Sequence, residues 1–249
     1  MSKRWYQDSR RDAWKRIARS KGYRTRSAYK LKQIQERFGI IRKGDAVLDV
    51  GCHPGGWTQV AVEEAGEEGL VIGVDLLATS PVDGASIIIG NITEEDTIAR
   101  IKQTLDERKL NVVVSDISPN LTGRYDTDQT ISLELSTLVL DAAMEFIPHG
   151  GSFVTKIFQG TGIEGLIDAA KDRFSNVQRY SPTASRSASS ETYLICQNRL
   201  PKPRARAQGK SALEQVQLHL SDLGVVVEEE VDEVETKVGF KRLRKREEG

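Results

Sequence analysis

Two lysines and two carboxylates stand where the ends of strands are expected. Asp116 follows the run Val112 to Ser115, Lys156 closes the run from Ser152, Glu191 opens the last β-rich run, and Lys30 lies in a helical stretch ahead of the first. A single Lys at a strand end is ordinarily solvated. Two Lys and two carboxylates at neighbouring strand ends read differently, because each carboxylate can hold an ammonium group in place while the other ammonium eases its proton away. A cluster of this kind can align a weak acid and accept its proton.

A second chemical feature follows the first strand. The turn Asp49-Val-Gly-Cys-His-Pro-Gly-Gly-Trp57 is rich in glycine and leads into a helix, so backbone can approach a ligand without a Cβ in the way. It lacks the G-x-G-x-x-G spacing that wraps a pyrophosphate, Pro54 removes one backbone donor, and no Lys-Ser/Thr pair makes a P-loop. An uncharged nucleoside with an amino-acid arm, such as S-adenosylmethionine, fits better than a phosphate. Asp75 ends the next strand where a ribose diol would donate to it, which suits NAD and S-adenosylmethionine alike. Asn91, after the third strand, either accepts from an adenine amino group or starts the following helix. His53 reads as a spacer or a donor to a cofactor carboxylate, and Cys52 as a small apolar filler.

The elements that must position these groups alternate. β-Rich runs cover Ala46 to Val50, Val71 to Val74, Ser86 to Ile89, Val112 to Ser115, Ser152 to Ile157, Val177 to Tyr180 and Thr192 to Cys196. Helical stretches cover Thr58 to Glu64, Glu94 to Asp106, Ser132 to Phe146 and Ile163 to Phe174. Seven strands with crossover helices predict a mostly parallel sheet with helices on both faces, and open sheets of this kind bind ligands beyond the carboxyl ends of their strands. Arg26 to Arg37 reads as an amphipathic helix lying on that sheet.

Charge divides the 249 residues into three parts. Residues 1–43 carry 15 Lys and Arg against 3 Asp and Glu, residues 44–200 carry 11 against 23, and residues 201–249 carry 10 against 10. The first part, interleaved with Trp5, Tyr6, Trp14, Tyr23 and Tyr29, reads either as a phosphate-tracking surface with stacking groups for bases or as a helix whose aromatics dock on the core. In the last part, Pro201 to Lys210 reads as a linker, Ser211 to Leu223 as a helix, and the acidic and basic blocks Glu228 to Glu235 and Lys241 to Arg246 as mobile. Three segments are thus expected: a basic N-terminal extension over 1–43, a ligand-binding domain over 44–200 and a partly flexible tail over 201–249. With 38% hydrophobic residues, 29% charged and two Cys, disordered, collagenous and disulfide-scaffold classes are excluded, and a zinc site lacks ligands. No apolar run is long enough to span a bilayer and the start has no apolar signal core, so a cytoplasmic protein is expected.

The motifs together resemble the FtsJ family of S-adenosylmethionine-dependent ribosomal RNA 2′-O-methyltransferases. The resemblance runs through Tyr23-Arg-Thr-Arg-Ser-Ala-Tyr-Lys-Leu31, Val47 to Trp57, Asp75-Leu-Leu77, Ser115-Asp-Ile-Ser-Pro-Asn120, Gly150 to Gly160 and Ser185 to Tyr193, in order over residues 20–200. It implies a Rossmann-like class I methyltransferase fold, a catalytic tetrad of Lys30, Asp116, Lys156 and Glu191, and a cofactor site lined by Gly55, Trp57, Asp75, Asn91 and Asp116. Three departures stand out: Cys52-His53 replaces a pair of small alanines, Asn91 stands where Asp is common, and Ser181 replaces a frequent Lys before Pro182.

On this resemblance, Lys156 accepts or steers the proton of a ribose 2′-hydroxyl, its pKa lowered by Lys30 and the sulfonium, while Asp116 and Glu191 hold the lysines. A uridine of large-subunit ribosomal RNA, free or within the assembled subunit, is the expected substrate; the anticodon loop of transfer RNA is the alternative. No membrane and no obligate protein partner are expected. Two readings of other classes stay open, a nicotinamide-dependent oxidoreductase and a catalytically silent RNA-binding module.

Overall fold

The structure, a computed structural model, describes residues 13–119, 122–185, 190–226 and 244–245. Its sheet has seven strands: β1 (Ala46–Val50), β2 (Leu70–Asp75), β3 (Ala85–Ile89), β4 (Val112–Ser115), β5 (Ser152–Phe158), β6 (Phe174–Tyr180) and β7 (Glu191–Arg199). Their order is β3-β2-β1-β4-β5-β7-β6, with β7 antiparallel to both its neighbours and the remaining pairs parallel. The strand order reverses between β1 and β4, so the crevice lies where Val50 and Ser115 end, side by side in register.

Period-2 alternation divides the strand residues between two cores. Leu48, Val50, Ile72, Val74 and Val113 face one layer, and Val47, Val71, Val112 and Val114 the other. The first layer is closed by α4 (Glu95–Leu105), α5 (Tyr125–Phe146), α6 (Ile163–Lys171) and α7 (Ala212–Asp222). The second is closed by α1 (residues 13–20), α2 (Ala28–Phe38) and α3 (Gly56–Ala65). Each fully buried Leu or Ile in these layers contributes about 1.5–3 kcal/mol relative to exposure.

α2 illustrates how the sequence places a catalytic candidate. Ala28, Leu31 and Ile34 recur at helical spacing and are fully buried, and Gly39 ends the helix at φ +56°, its N–H donating to Gln35 O. Lys30 is carried into the buried face beside Leu31. The described part of the basic extension therefore packs on the sheet domain from α1 onward.

Two sequence expectations need correction. α5 starts at Tyr125, seven residues before Ser132, because its first turns are polar and lack the apolar stripe that marks a helix; Asp128 holds them by accepting from Thr122 N at 2.7 Å and Gly123 N at 3.1 Å. Pro201 to Lys210 is no loose linker: it contains a 3-10 turn (Ala205–Ala207) docked on the fully buried carboxylate of Asp172, which Arg206 Nε meets at 2.7 Å and Gln215 Nε2 at 2.9 Å. α7 follows with a Ser211–Glu214 capping box, and Val216 and Leu220 enter the core. The described aromatics of the N-terminal part also dock inward: Trp14 and Tyr23 lie 5.0 and 5.6 Å from Tyr29, and Tyr23 is buried. Trp5, Tyr6 and the block Glu228 to Glu235 fall outside the described residues, as does the block Lys241 to Arg246 apart from Arg244–Lys245, whose backbone pairs with Val225–Val226. Among the described residues no helix is long and apolar enough to cross a membrane.

Candidate active site

The three polar residues expected at strand ends meet Lys30 of the preceding helix. Lys30 reaches from α2 to place Nζ 2.7 Å from Glu191 Oε1 and 3.9 Å from Asp116 Oδ1. Lys156 Nζ lies 3.3 Å from the same Oδ1 and donates to the Asp116 backbone carbonyl at 2.6 Å. Lys156 does not close β5, which runs two residues further; it faces Tyr193 in the antiparallel β7, while Phe158 pairs with Glu191. Ser136 of α5 donates to the Lys156 carbonyl at 2.7 Å and so fixes the backbone that carries the lysine.

Tyr193 completes the cluster. Fully buried, it donates its hydroxyl to Asp116 Oδ1 at 2.6 Å, stacks on Trp57 at 5.5 Å, and presents its ring to the Lys30 ammonium at 5.7 Å. Its position two residues after Glu191, on the same face of β7, is the signal that reading residues one at a time overlooks.

The electrostatics follow from this packing. Burial is the main cause that holds the Lys156 pKa below the ordinary lysine value; the Lys30 charge adds to it, against Asp116 and Glu191. Lys30 alone was not the chief cause. Burial pushes the Asp116 carboxyl up, but Lys156, Lys30 and the Tyr193 hydroxyl outweigh it and keep that pKa below the usual range. Burial, reinforced by Asp116 and Glu191, keeps the Tyr193 phenol neutral.

Beside the tetrad lies the glycine turn. Gly51 adopts φ +75°, and a Cβ there would meet Ile117 at 3.0 Å; Gly55, at φ +106°, precedes the first residue of α3. Asp75 accepts from His53 N at 2.8 Å through Oδ2 and from Leu77 N at 2.8 Å through Oδ1, which leaves further lone pairs at the strand end for a diol. His53 packs its ring against Thr79, Nδ1 to Oγ1 at 3.2 Å, and Cys52 fills space beneath, its thiol pushed up to about 12 by burial. Trp57 is 3% exposed and donates its indole N–H to Ser27 O at 2.9 Å, so its ring supports the turn from behind and only its backbone faces it. Asn91 Oδ1 accepts from Thr93 N at 3.1 Å and Thr93 Oγ1 at 2.9 Å, which gives that oxygen to the turn before α4; an adenine amino group would have to displace Thr93. Ser181 likewise bonds inward, to Thr192 Oγ1 at 3.1 Å.

Two further residues emerge only from the structure. Asp49 is fully buried under the turn, with Thr58 Oγ1 donating to Oδ2 at 2.7 Å and no donor to Oδ1 among the described residues. Burial, aided by the charges of Asp116 and Asp75 and opposed by Thr58, raises its pKa to about 7. Arg24 spans two loops, its guanidinium donating to Pro54 O at 3.0 Å, Ser80 O at 2.7 Å and Pro81 O.

Comparison with known proteins finds relatives over most of the chain. A protein from Methanothrix thermoacetophila named Ribosomal RNA large subunit methyltransferase E is 45% identical over 193 residues, 78% of this chain and 74% of that protein. One of the same name from Neisseria gonorrhoeae is 39% identical over 80% of this chain and 96% of its own length. A crystal structure of a Plasmodium falciparum protein described as a ribosomal RNA methyltransferase superposes with a TM-score of 0.64 at 29% identity, covering 72% of this chain and 99% of that one. Residues 23–199, which hold all four members of the cluster, match the family model described as FtsJ-like methyltransferase, and the chain belongs to that family.

Proposed function

We propose that this chain transfers a methyl group from S-adenosylmethionine to the ribose 2′-hydroxyl of a uridine in large-subunit ribosomal RNA. The observation that carries the reading is the convergence of Lys30, Asp116, Lys156 and Glu191 on one buried cluster at the carboxyl end of the sheet. The names of the relatives support ribosomal RNA as substrate.

The residues present fit the cofactor. Asp75 offers acceptors to a diol beside the glycine turn, whose spacing makes no pyrophosphate cradle. Gly55, the backbone of Trp57, Asp75 and Asp116 would hold it, with Asn91 contributing its amide N–H groups because Thr93 occupies its oxygen. When bound, S-adenosylmethionine supplies a methyl group already activated by its sulfonium charge.

The protein then has to align and deprotonate a hydroxyl. Lys156, eased toward its neutral form by burial and by Lys30, takes or steers that proton. Asp116 holds Lys156 with its backbone carbonyl and its carboxylate together, and Glu191 holds Lys30. With Lys156 neutral, two carboxylates face one ammonium, and the net negative charge suits a cationic methyl donor. Positioning alone lowers the barrier by about 7 kcal/mol or more.

The experiment is incubation of the protein with labelled S-adenosylmethionine and, separately, large ribosomal subunits, naked large-subunit RNA and transfer RNA, followed by mapping of 2′-O-methyl groups. A new 2′-O-methyluridine in large-subunit RNA is expected. Methylation of transfer RNA alone, or of a base and not a ribose, would refute the reading.

A further inference from the structure

A ribose presented to Lys156 and Asp116 brings a base with it, and nothing described so far receives that base. A nucleotide drawn out of an RNA strand loses its stacking neighbours, and proteins replace them with an aromatic face. Among the described aromatics of the basic extension, Trp14, Tyr23 and Tyr29 are spent on one another. Phe38 and Tyr180 pack together beneath Arg37.

Among the described Phe, Tyr and Trp side chains only Tyr125 is exposed, at 57%. It is the first residue of α5 and is tied to the rim of the cluster. Its hydroxyl donates to Gln159 O at 2.5 Å, and Gln159 N donates to Ser190 O at 3.0 Å, the residue before Glu191. Gln159 itself lies three residues beyond Lys156. One turn along α5, Gln129 Nε2 donates to Thr161 O at 2.9 Å, so the helix start is stitched to the end of β5 twice. A ring anchored at its polar tip and open over more than half its surface has little side-chain entropy left to lose when a base settles on it.

Resting on the ribose-methylation reading, we propose that Tyr125 is the stacking platform for the base of the nucleotide that is methylated. Exposed Arg124 beside it adds a cation on the approach of an RNA strand.

The test uses the full-length protein and an RNA that the wild type methylates, with the same RNA abasic at the target nucleotide. Tyr125→Ala should lower kcat/KM for the intact RNA roughly 10- to 100-fold and leave S-adenosylmethionine affinity unchanged. Tyr125→Phe, which keeps the ring and loses the anchor, should retain most of the activity. On the abasic RNA the wild type should fall to the level of Tyr125→Ala, and the substitution should cost nothing more. Phe as damaging as Ala, weakened S-adenosylmethionine binding by Tyr125→Ala, or an equal loss on abasic RNA would overturn the inference in favour of a structural role. Failure of the wild type itself to methylate ribosomal RNA would overturn the functional reading instead, and the control reveals it before any variant is measured.

Discussion

At Asp116 a single carboxylate oxygen has the Tyr193 hydroxyl within hydrogen-bond distance and both ammonium groups within 4 Å, at 2.6, 3.3 and 3.9 Å. An oxygen so surrounded fixes geometry, and that accounts for a Lys156 that is buried and yet held in one place. Asp49 is the opposite case, a buried carboxyl with one oxygen unpartnered. Its folded pKa of about 7 lies above the unfolded value of 3.8, so the folded state binds more protons between the two and loses stability as pH rises through that window. The penalty between pH 5 and 8 is at most about 3 kcal/mol. Asp49→Asn, which keeps an acceptor for Thr58, should therefore raise the melting temperature of the ligand-free protein at pH 8 and change it little at pH 5. Equal effects at both pH values would mean that Asp49 is charged in the fold. Neither the Asp49 environment nor the Tyr193 contact was legible in the sequence, because both depend on which neighbours the sheet register brings alongside.

Among the elements, α2 and the segment before it tie the cluster to the glycine turn. Lys30 rides on the buried face of α2, while Arg24 and Trp57 fasten the preceding residues to the loops after β1 and β2. Arg24 belongs to the basic extension by composition, yet its donors are spent on three backbone carbonyls. Arg24→Ala should weaken S-adenosylmethionine binding about 10-fold, as expected for losing charge-assisted bonds at a partly exposed site, with kcat at saturation nearly unchanged. An unaltered affinity, measured by calorimetry, would sever the extension from the cofactor site. The central strands were legible because runs such as Ala46–Val50 and Val112–Ser115 are buried on both faces, which makes them continuous apolar stretches, whereas the start of the largely exposed edge strand β6 at Phe174 was read as the end of a helix. The start of α5 was not legible either, since Tyr125 to Ile131 are held by the helix's own Asp128 and Gln129, which bond the backbone of the loop before the helix and of Thr161 after β5.

For the whole molecule, residues 201–222 extend the sheet domain past the boundary that composition suggested. A Pro- and Arg-rich sequence looks like a linker when its charges are counted alone; Asp172, Arg173 and Asp141 turn it into a packed layer. Arg173, buried to 5% exposure, donates to Lys210 O at 2.7 Å, and Asp141 accepts from Ala212 N at 2.6 Å. Truncation after Arg199 strips partners from all three and uncovers the core that Val216 and Leu220 close. Such a truncated protein should melt at least 10 °C lower or aggregate on expression, roughly what several kcal/mol implies for a domain of this size. An unchanged melting curve would return the segment to the status of an appendage.

The most direct test is made at Lys156. Single-turnover methyl transfer to ribosomal RNA and S-adenosylmethionine binding should be measured on the same sample of Lys156→Ala. Transfer should fall roughly 10²- to 10⁴-fold, the usual contribution of a proton-transfer group, while cofactor affinity stays within about threefold. Undiminished transfer would contradict the assignment outright, whatever the cofactor affinity.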